Sequence, residues 1–262
     1  MKSLLFLSGL PRTGTTVLSS ILNQNPNIHC TSTSGMLDFL AGVNYVYNQT
    51  SERSLKFNED QLKNIFKSIV SSYYSHINES IVIDKWRGWV ANIPQIKEII
   101  TDKPKIICTY RPIEEIITSF LYLIKNDKNN FIDKELNSKC LELTNSNRAK
   151  YLWEFGVVGE TYSFFTNSLK YKSEICYVSY DEIVLYPDQT LNKIYNYLEM
   201  DRYNHYYENI DTKILDNDEF WKLKNLHSIR NKLSKNNKNP DDYLNKTDLQ
   251  FFKSFNKIFL EI

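Results

Sequence analysis

The sequence predicts an α/β fold, a parallel sheet of the phosphate-loop type with helices on both faces, forming a single domain over residues 1–262. Three observations lead there. Four short apolar runs, Leu4–Ser8, Ser80–Asp84, Lys105–Thr109 and Ile175–Ser179, are rich in Ile, Val, Leu or Tyr and bounded by polar residues. Runs of that kind suit strands buried on both sides. The stretches between them carry apolar residues three and four apart, the period of a helix packed on one face. Finally, seven Gly and seven Pro are too few for a turn-dense all-β chain.

The first run follows Met1-Lys2-Ser3 and imitates the start of a signal peptide. It is too short for one, and Gly9-Leu10-Pro11-Arg12 interrupts it, so it reads as the first buried strand. Helical periodicity then covers Thr15–Asn23, Asp60–Ser75, Ile113–Lys125, Asn147–Leu169 and Asp188–Leu198. Further helices are expected between the first two of these strands and at the C-terminus. Lys125–Asn130 and Lys232–Pro240, rich in Lys and Asn, read as solvated surface loops. No repeat or linker divides the chain, and no stretch approaches the length of a membrane span.

Bulk chemistry narrows the function. A net charge of +1 supplies no global field to attract nucleic acid or anionic membrane, so any anion site must be local. Cys30, Cys108, Cys140 and Cys176 are scattered without paired spacing, which speaks against zinc and against a disulfide framework. Cys108 and Cys176 lie inside apolar runs and read as buried thiols. A reducing, cytoplasmic setting is expected.

In a sheet of this type ligands bind beyond the carboxyl ends of the strands. Gly9-Leu10-Pro11-Arg12-Thr13-Gly14-Thr15-Thr16 follows the first run and has the frame of a phosphate-binding loop, with Thr15 in the place of the usual Lys. The glycines let the backbone wrap closely, and the helix that starts near Thr15 offers its positive end to an anion. Thr15 and Thr16 add hydroxyls, and Arg12 restores the missing cation three positions earlier. A loop without the Lys that serves β- and γ-phosphates suits a donor with a single bridging phosphate.

Leu7–Thr16 resembles the 5′-phosphosulfate loop of sulfotransferases, and Leu22–Cys30 is similar to the stretch that follows it in tyrosylprotein sulfotransferases, including the spacing from Arg12 to Pro26. The resemblance implies 3′-phosphoadenosine 5′-phosphosulfate as donor, held by Pro11, Arg12, Thr13, Gly14, Thr15 and Thr16. Tyr110-Arg111-Pro112 with Ser119 resembles the family's 3′-phosphate motif, in which a charge-assisted fork and a hydroxyl share one anion. Lys85, within Asp84-Lys85-Trp86-Arg87-Gly88-Trp89, matches the family's second active-site cation. Trp86 and Trp89 read as walls of an acceptor pocket or as core. Val178–Pro187 is similar to the family's late segment and implies that Tyr180 lies near the nucleotide, although a buried structural Tyr fits equally. Asn225–Lys232 looks like the family's closing loop or, alternatively, a solvated helix edge.

The implied reaction is in-line attack of an acceptor hydroxyl, or less readily an amine, on sulfur, releasing adenosine 3′,5′-bisphosphate. Arg12, Lys85 and backbone dipoles would stabilise the transition state without a metal. Acceptor classes are small alcohols, phenols, sugars or peptide tyrosine. Related tyrosylprotein enzymes carry a Glu in the segment aligned with Thr31–Ser34, where this chain has no carboxylate. Asp38 and Asp84 are therefore the candidate general bases, each with a structural alternative. His29, His76, His205 and His227 fall in no recognisable triad and read as surface polar groups. A small-molecule kinase and a non-catalytic nucleotide-binding module are the competing functions. The kinase requires the Lys that Thr15 replaces.

Overall fold

β1 (Ser3–Gly9), β2 (Ile28–Thr33), β3 (Ile81–Lys85), β4 (Ile106–Tyr110) and β5 (Ile175–Ser179) form one sheet in the order β2-β3-β1-β4-β5. Every adjacent pair is parallel. The computed structural model describes residues 2–49, 58–210, 216–219, 222–235 and 238–262. Met1, residues 50–57 and residues 236–237 of the expected surface loop lie outside the described residues.

Strand alternation divides the core in two. Phe6, Val82, Ile106, Cys108, Ile175 and Tyr177 face one layer. Leu5, Leu7, Ile83, Ile107, Cys176 and Val178 face the other. The helices that cover these layers are α1 (Thr15–Leu22), α2 (Met36–Gln49), α3 (Glu59–Tyr73), α4 (Ile93–Ile99), α5 (Ile113–Asn126), α6 (Phe131–Ser138), α7 (Asn145–Glu154), α8 (Val157–Ser168), α9 (Tyr180–Leu185), α10 (Pro187–Leu198) and α11 (Lys246–Ser254). Burial on both faces is what near-continuous apolar strands require, so the predicted architecture holds.

β2 was not among the expected strands. It is an edge strand reading Ile-His-Cys-Thr-Ser-Thr, half exposed, with none of the apolar density of the central four. The expected helix Asn147–Leu169 is two helices. Gly156, extended at φ −104° and ψ −178°, caps α8, and α8 then lies so close to α7 that a Cβ on Gly159 would sit 1.9 Å from the Trp153 carbonyl oxygen. Lys125–Asn130 is not simply a solvated loop. Asp127 and Asn130 are buried, Asn130 caps α6, and Asp127 accepts the Lys224 amide at 3.1 Å.

After α10 the described residues up to 235 form no further helix or sheet strand and lie across the carboxyl ends of the strands. Residues 207–210 hold residues 231–233 through Ile210 N–H to Asn231 and Leu233 N–H to Tyr207. That return path builds the second wall of the site.

Candidate active site

The first wall is the turn between β1 and α1. Gly9 has φ 147°, and a Cβ there would meet the Thr109 carbonyl oxygen at 2.4 Å, so only glycine lets β1 leave the sheet this close to β4. Thr13 fastens the turn from inside. Its hydroxyl donates to the Leu10 carbonyl and lies 2.6 Å from the Thr109 hydroxyl. Gly14, left-handed at φ 85°, caps α1 without bringing a side chain to its first-turn N–H groups. Those groups and the helix dipole are what an anion at this end would meet. Pro11, Thr15 and Thr16 line the same cavity. Thr13 does not. Its hydroxyl is consumed by the fold.

Arg12 holds a left-handed backbone, φ 62°, which costs a non-glycine residue energy and is retained where the surroundings demand it. Its Nε donates to the Ser119 hydroxyl at 3.1 Å, and its Nη1 donates to the Leu226 carbonyl. Arg111, leaving β4, donates from Nη1 to the Arg12 carbonyl at 3.3 Å and from Nε to Glu115 at 2.9 Å. Its guanidinium lies 4.2 Å from the centroid of the Tyr180 ring, and that ring in turn packs beside Gly14. Arg12, Arg111, Ser119 and Tyr180 are thus one contiguous group, as the sequence motifs imply. Burial and the neighbouring Arg111 charge push the Arg12 guanidinium down to about 10. Lys238 is pushed down to about 8 by burial and by Arg230, Arg12 and Arg111. Four cations have been crowded into one corner.

At the end of β3, neighbouring residues part. Asp84 is fully buried and accepts from Ser34 at 2.8 Å, Tyr74 at 2.5 Å and Trp89 Nε1 at 2.6 Å. Burial raises its pKa despite those donors. Asp84 does not line the cavity, and its oxygens are engaged with the core, so this expected base lies away from the loop cavity. Trp89 is its core partner. Lys85 points the other way, lines the cavity and pairs with Asp216 at 2.5 Å.

A register shift between Cys30 and Thr33 in the β2–β3 pairing helps to seat that carboxylate. Thr33 N–H donates to the other Asp216 oxygen at 2.7 Å. Asp216, Asp218 and His227 belong to the irregular return segment. Asp218 accepts the His227 ring at Nδ1, 2.7 Å, and also the His227 amide at 3.2 Å. Nε2 of His227 stands 4.0 Å from Asp216. Burial is the largest influence on this imidazole and lowers its pKa, while Asp216 and Asp218 oppose the shift.

Sequence reading took His227 for a surface group and did not single out the two acids. The only pointer was the resemblance of Asn225–Lys232 to a closing loop, and that stretch is neither helix nor freely solvated, since Leu226 is buried and lines the cavity.

A second cleft adjoins the first through Trp86 and Arg87, which line both. Asp38, exposed on α2, lies here with Glu160 and Tyr162 of α8 rather than in the loop cavity. Cys30, Cys108 and Cys176 are buried free thiols and Cys140 is exposed. Among the described residues no helix is long and apolar enough to cross a membrane.

A family model described as the sulfotransferase family matches residues 5–204. No curated protein matches the chain in sequence. In fold the chain is similar to the mouse sulfotransferase SULT7A1 complexed with PAP, at 14% identity and a TM-score of 0.55, covering 99% of this chain and 83% of that one. It is similar also to the sulfotransferase STF9 from Mycobacterium avium, at 13% identity and a TM-score of 0.53, over 99% and 76% of the two chains. A sulfotransferase from Alicyclobacillus acidocaldarius matches at 14% identity and a TM-score of 0.50, over 84% and 87%.

Proposed function

The chain belongs to the sulfotransferase family, and from that premise we propose that it transfers a sulfuryl group from 3′-phosphoadenosine 5′-phosphosulfate to a hydroxyl acceptor. One observation carries the donor assignment. Beyond the effect of burial, the charge of Arg111 lowers the pKa of Arg12, and the charges of Arg230, Arg12 and Arg111 lower that of Lys238, beside a glycine-capped helix N-terminus. Like charges so arranged are relieved by an anion, and a donor with phosphates at both 3′ and 5′ positions brings more than one. The residues therefore fit the donor. The Gly14 turn and the start of α1 would take the 5′-phosphosulfate, and Arg111 with Ser119 the 3′-phosphate. Tyr180 supports the Arg111 guanidinium from below.

The bound donor would supply an activated sulfur with adenosine 3′,5′-bisphosphate as leaving group. Arg12 and Lys85 are the side chains placed to oppose charge that develops on the bridging and sulfuryl oxygens. A sulfuryl group carries less charge than a phosphoryl group, so two cations and backbone N–H groups suffice, and the proposed reaction needs no metal. The cleft beyond Trp86 and Arg87 gives the acceptor its approach, from the side where Asp38 lies.

Calorimetry with adenosine 3′,5′-bisphosphate and adenosine 5′-phosphate tests the donor. The bisphosphate is expected to bind roughly tenfold to a hundredfold tighter, the equivalent of about 1.5–3 kcal/mol for a charge-assisted contact. Arg111→Ala should abolish the difference. Equal affinities in the wild-type protein would sink the assignment. Turnover of labelled phosphosulfate over a panel of alcohols, phenols, sugars and tyrosine peptides, with and without Mg²⁺, identifies the acceptor class and tests the metal-free reaction.

A further inference from the structure

We propose that His227 is the general base of the transfer and that Asp218 is its positioning residue; the inference rests on reading the cavity as a sulfuryl-transfer site. The acids near the cavity are otherwise engaged. Asp84 faces the core and is met by three donors. Asp216 gives one oxygen to Thr33 N–H and the other to Lys85. Asp38 stands in the neighbouring cleft. Among the described residues that line the loop cavity there is no carboxylate, while the His227 imidazole lines it together with Arg12 and Lys85.

The tautomer follows from the partner. An ionised carboxylate only accepts, so Nδ1 carries the proton and donates it to Asp218 at 2.7 Å. Nε2 is then the basic nitrogen of the ring. Asp218 holds the ring in that state and also binds the His227 amide, so backbone and side chain are fixed by one group. The direction of Nε2 is reported by Asp216. One of its oxygens lies 2.5 Å from the Lys85 ammonium and 4.0 Å from Nε2, so a single atom can stand between the cation and the imidazole. An acceptor oxygen attacking sulfur needs the imidazole beside it, and the sulfuryl oxygens need the cation.

The step balances without a co-reactant. The acceptor oxygen forms a bond to sulfur while the sulfur–oxygen bond to the 5′-phosphate breaks, its electron pair going to the phosphate. The acceptor proton passes to Nε2, and the imidazolium beside Asp218 returns it to solvent after product leaves. Among the described residues, Asp216 and Asp218 of the same segment and Lys85 of β3 act on the charge of this ring. Burial keeps it neutral, hence competent as a base, at neutral pH.

The experiment measures kcat and kcat/KM against pH for wild type, His227→Gln, His227→Ala and Asp218→Asn, with bisphosphate affinity determined by calorimetry for each. His227→Gln and His227→Ala should lose roughly a hundredfold or more in kcat with bisphosphate affinity unchanged. Added imidazole should restore part of the rate of His227→Ala, which a merely structural histidine would not allow. In wild type, kcat/KM should fall with decreasing pH through a midpoint below the ordinary imidazole value of 6.5, and Asp218→Asn should move that midpoint lower still. A His227→Gln enzyme with wild-type kcat and an unaltered acidic limb overturns the assignment alone. A wild-type protein that neither binds the bisphosphate nor consumes phosphosulfate overturns the site reading first, and the base with it.

Discussion

Asp84 and Lys85 are adjacent on β3, yet the sheet sends them into two different chemistries. On one face Asp84 meets Ser34, Tyr74 and Trp89, all buried, and nothing there remains to react. On the other, Lys85 meets Asp216, with His227, Arg87 and Arg12 lining the same cavity. The first cluster is polar, closed and satisfied, and such networks hold a particular packing in place. The second gathers positive charge at strand ends along the wall of a cavity, an arrangement that favours an incoming anion. Polar residues alone do not mark a site. What separates the two clusters is that one is closed within the core and the other lines a cavity.

The contrast breaks most readily at Lys85. Lys85→Met should lower turnover by roughly 10²–10³, the range for removing a preorganised donor from a developing anion. Donor affinity should fall much less, because the interaction strengthens in the transition state. Both members of the Lys85–Asp216 pair are buried, so the variant strands a carboxylate and the thermal midpoint should fall as well; turnover is therefore compared per folded protein. Unchanged turnover in steady-state assays would assign Lys85 to the fold and erase the difference between the faces.

Asp84→Asn should do the opposite. A buried carboxylate that serves three donors is replaced by an amide that serves fewer, and a stranded donor costs about 1–3 kcal/mol. Denaturant unfolding should show that loss while the folded enzyme keeps its turnover and bisphosphate affinity. A large fall in kcat without a loss of stability would return Asp84 to the list of bases. Tyr74→Phe sharpens the same point at smaller scale. It deletes one hydroxyl from the cluster, should cost about 1 kcal/mol, and should leave kinetics and pH profile untouched.

Much of this was legible in the sequence because the information is local. The four central strands are dense in apolar residues, and each of the expected helices starts or ends within a few residues of its observed limit, Asn147–Leu169 excepted. That one fails because Gly156 breaks the periodicity without a visible turn signature, and the close approach that makes Gly159 necessary involves another helix. β2 was missed because an edge strand needs only one buried face. Asp84 and Lys85 both read as site candidates, since a strand end names the residues near a ligand but not the direction each side chain takes.

What the sequence by itself determined is the alternation of strands and helices, the glycines and hydroxyls of the turn at Gly9–Thr16, and the positions of Arg12, Lys85, Arg111, Ser119 and Tyr180 relative to strand ends. Those features depend on backbone conformation, on period and on short spacings, all of which a linear string carries. Only the tertiary structure decided that Asp84 belongs to the core, that Asp216 reaches Lys85 across 131 positions, and that Asp218 and His227 meet beside them. Among its described residues, the return segment that carries these groups has no helix or sheet strand whose period would announce it. Its place over the site is set by contacts with Thr33, Tyr207 and Arg12, residues far away in sequence, and pairings of that kind exist only once the chain has folded.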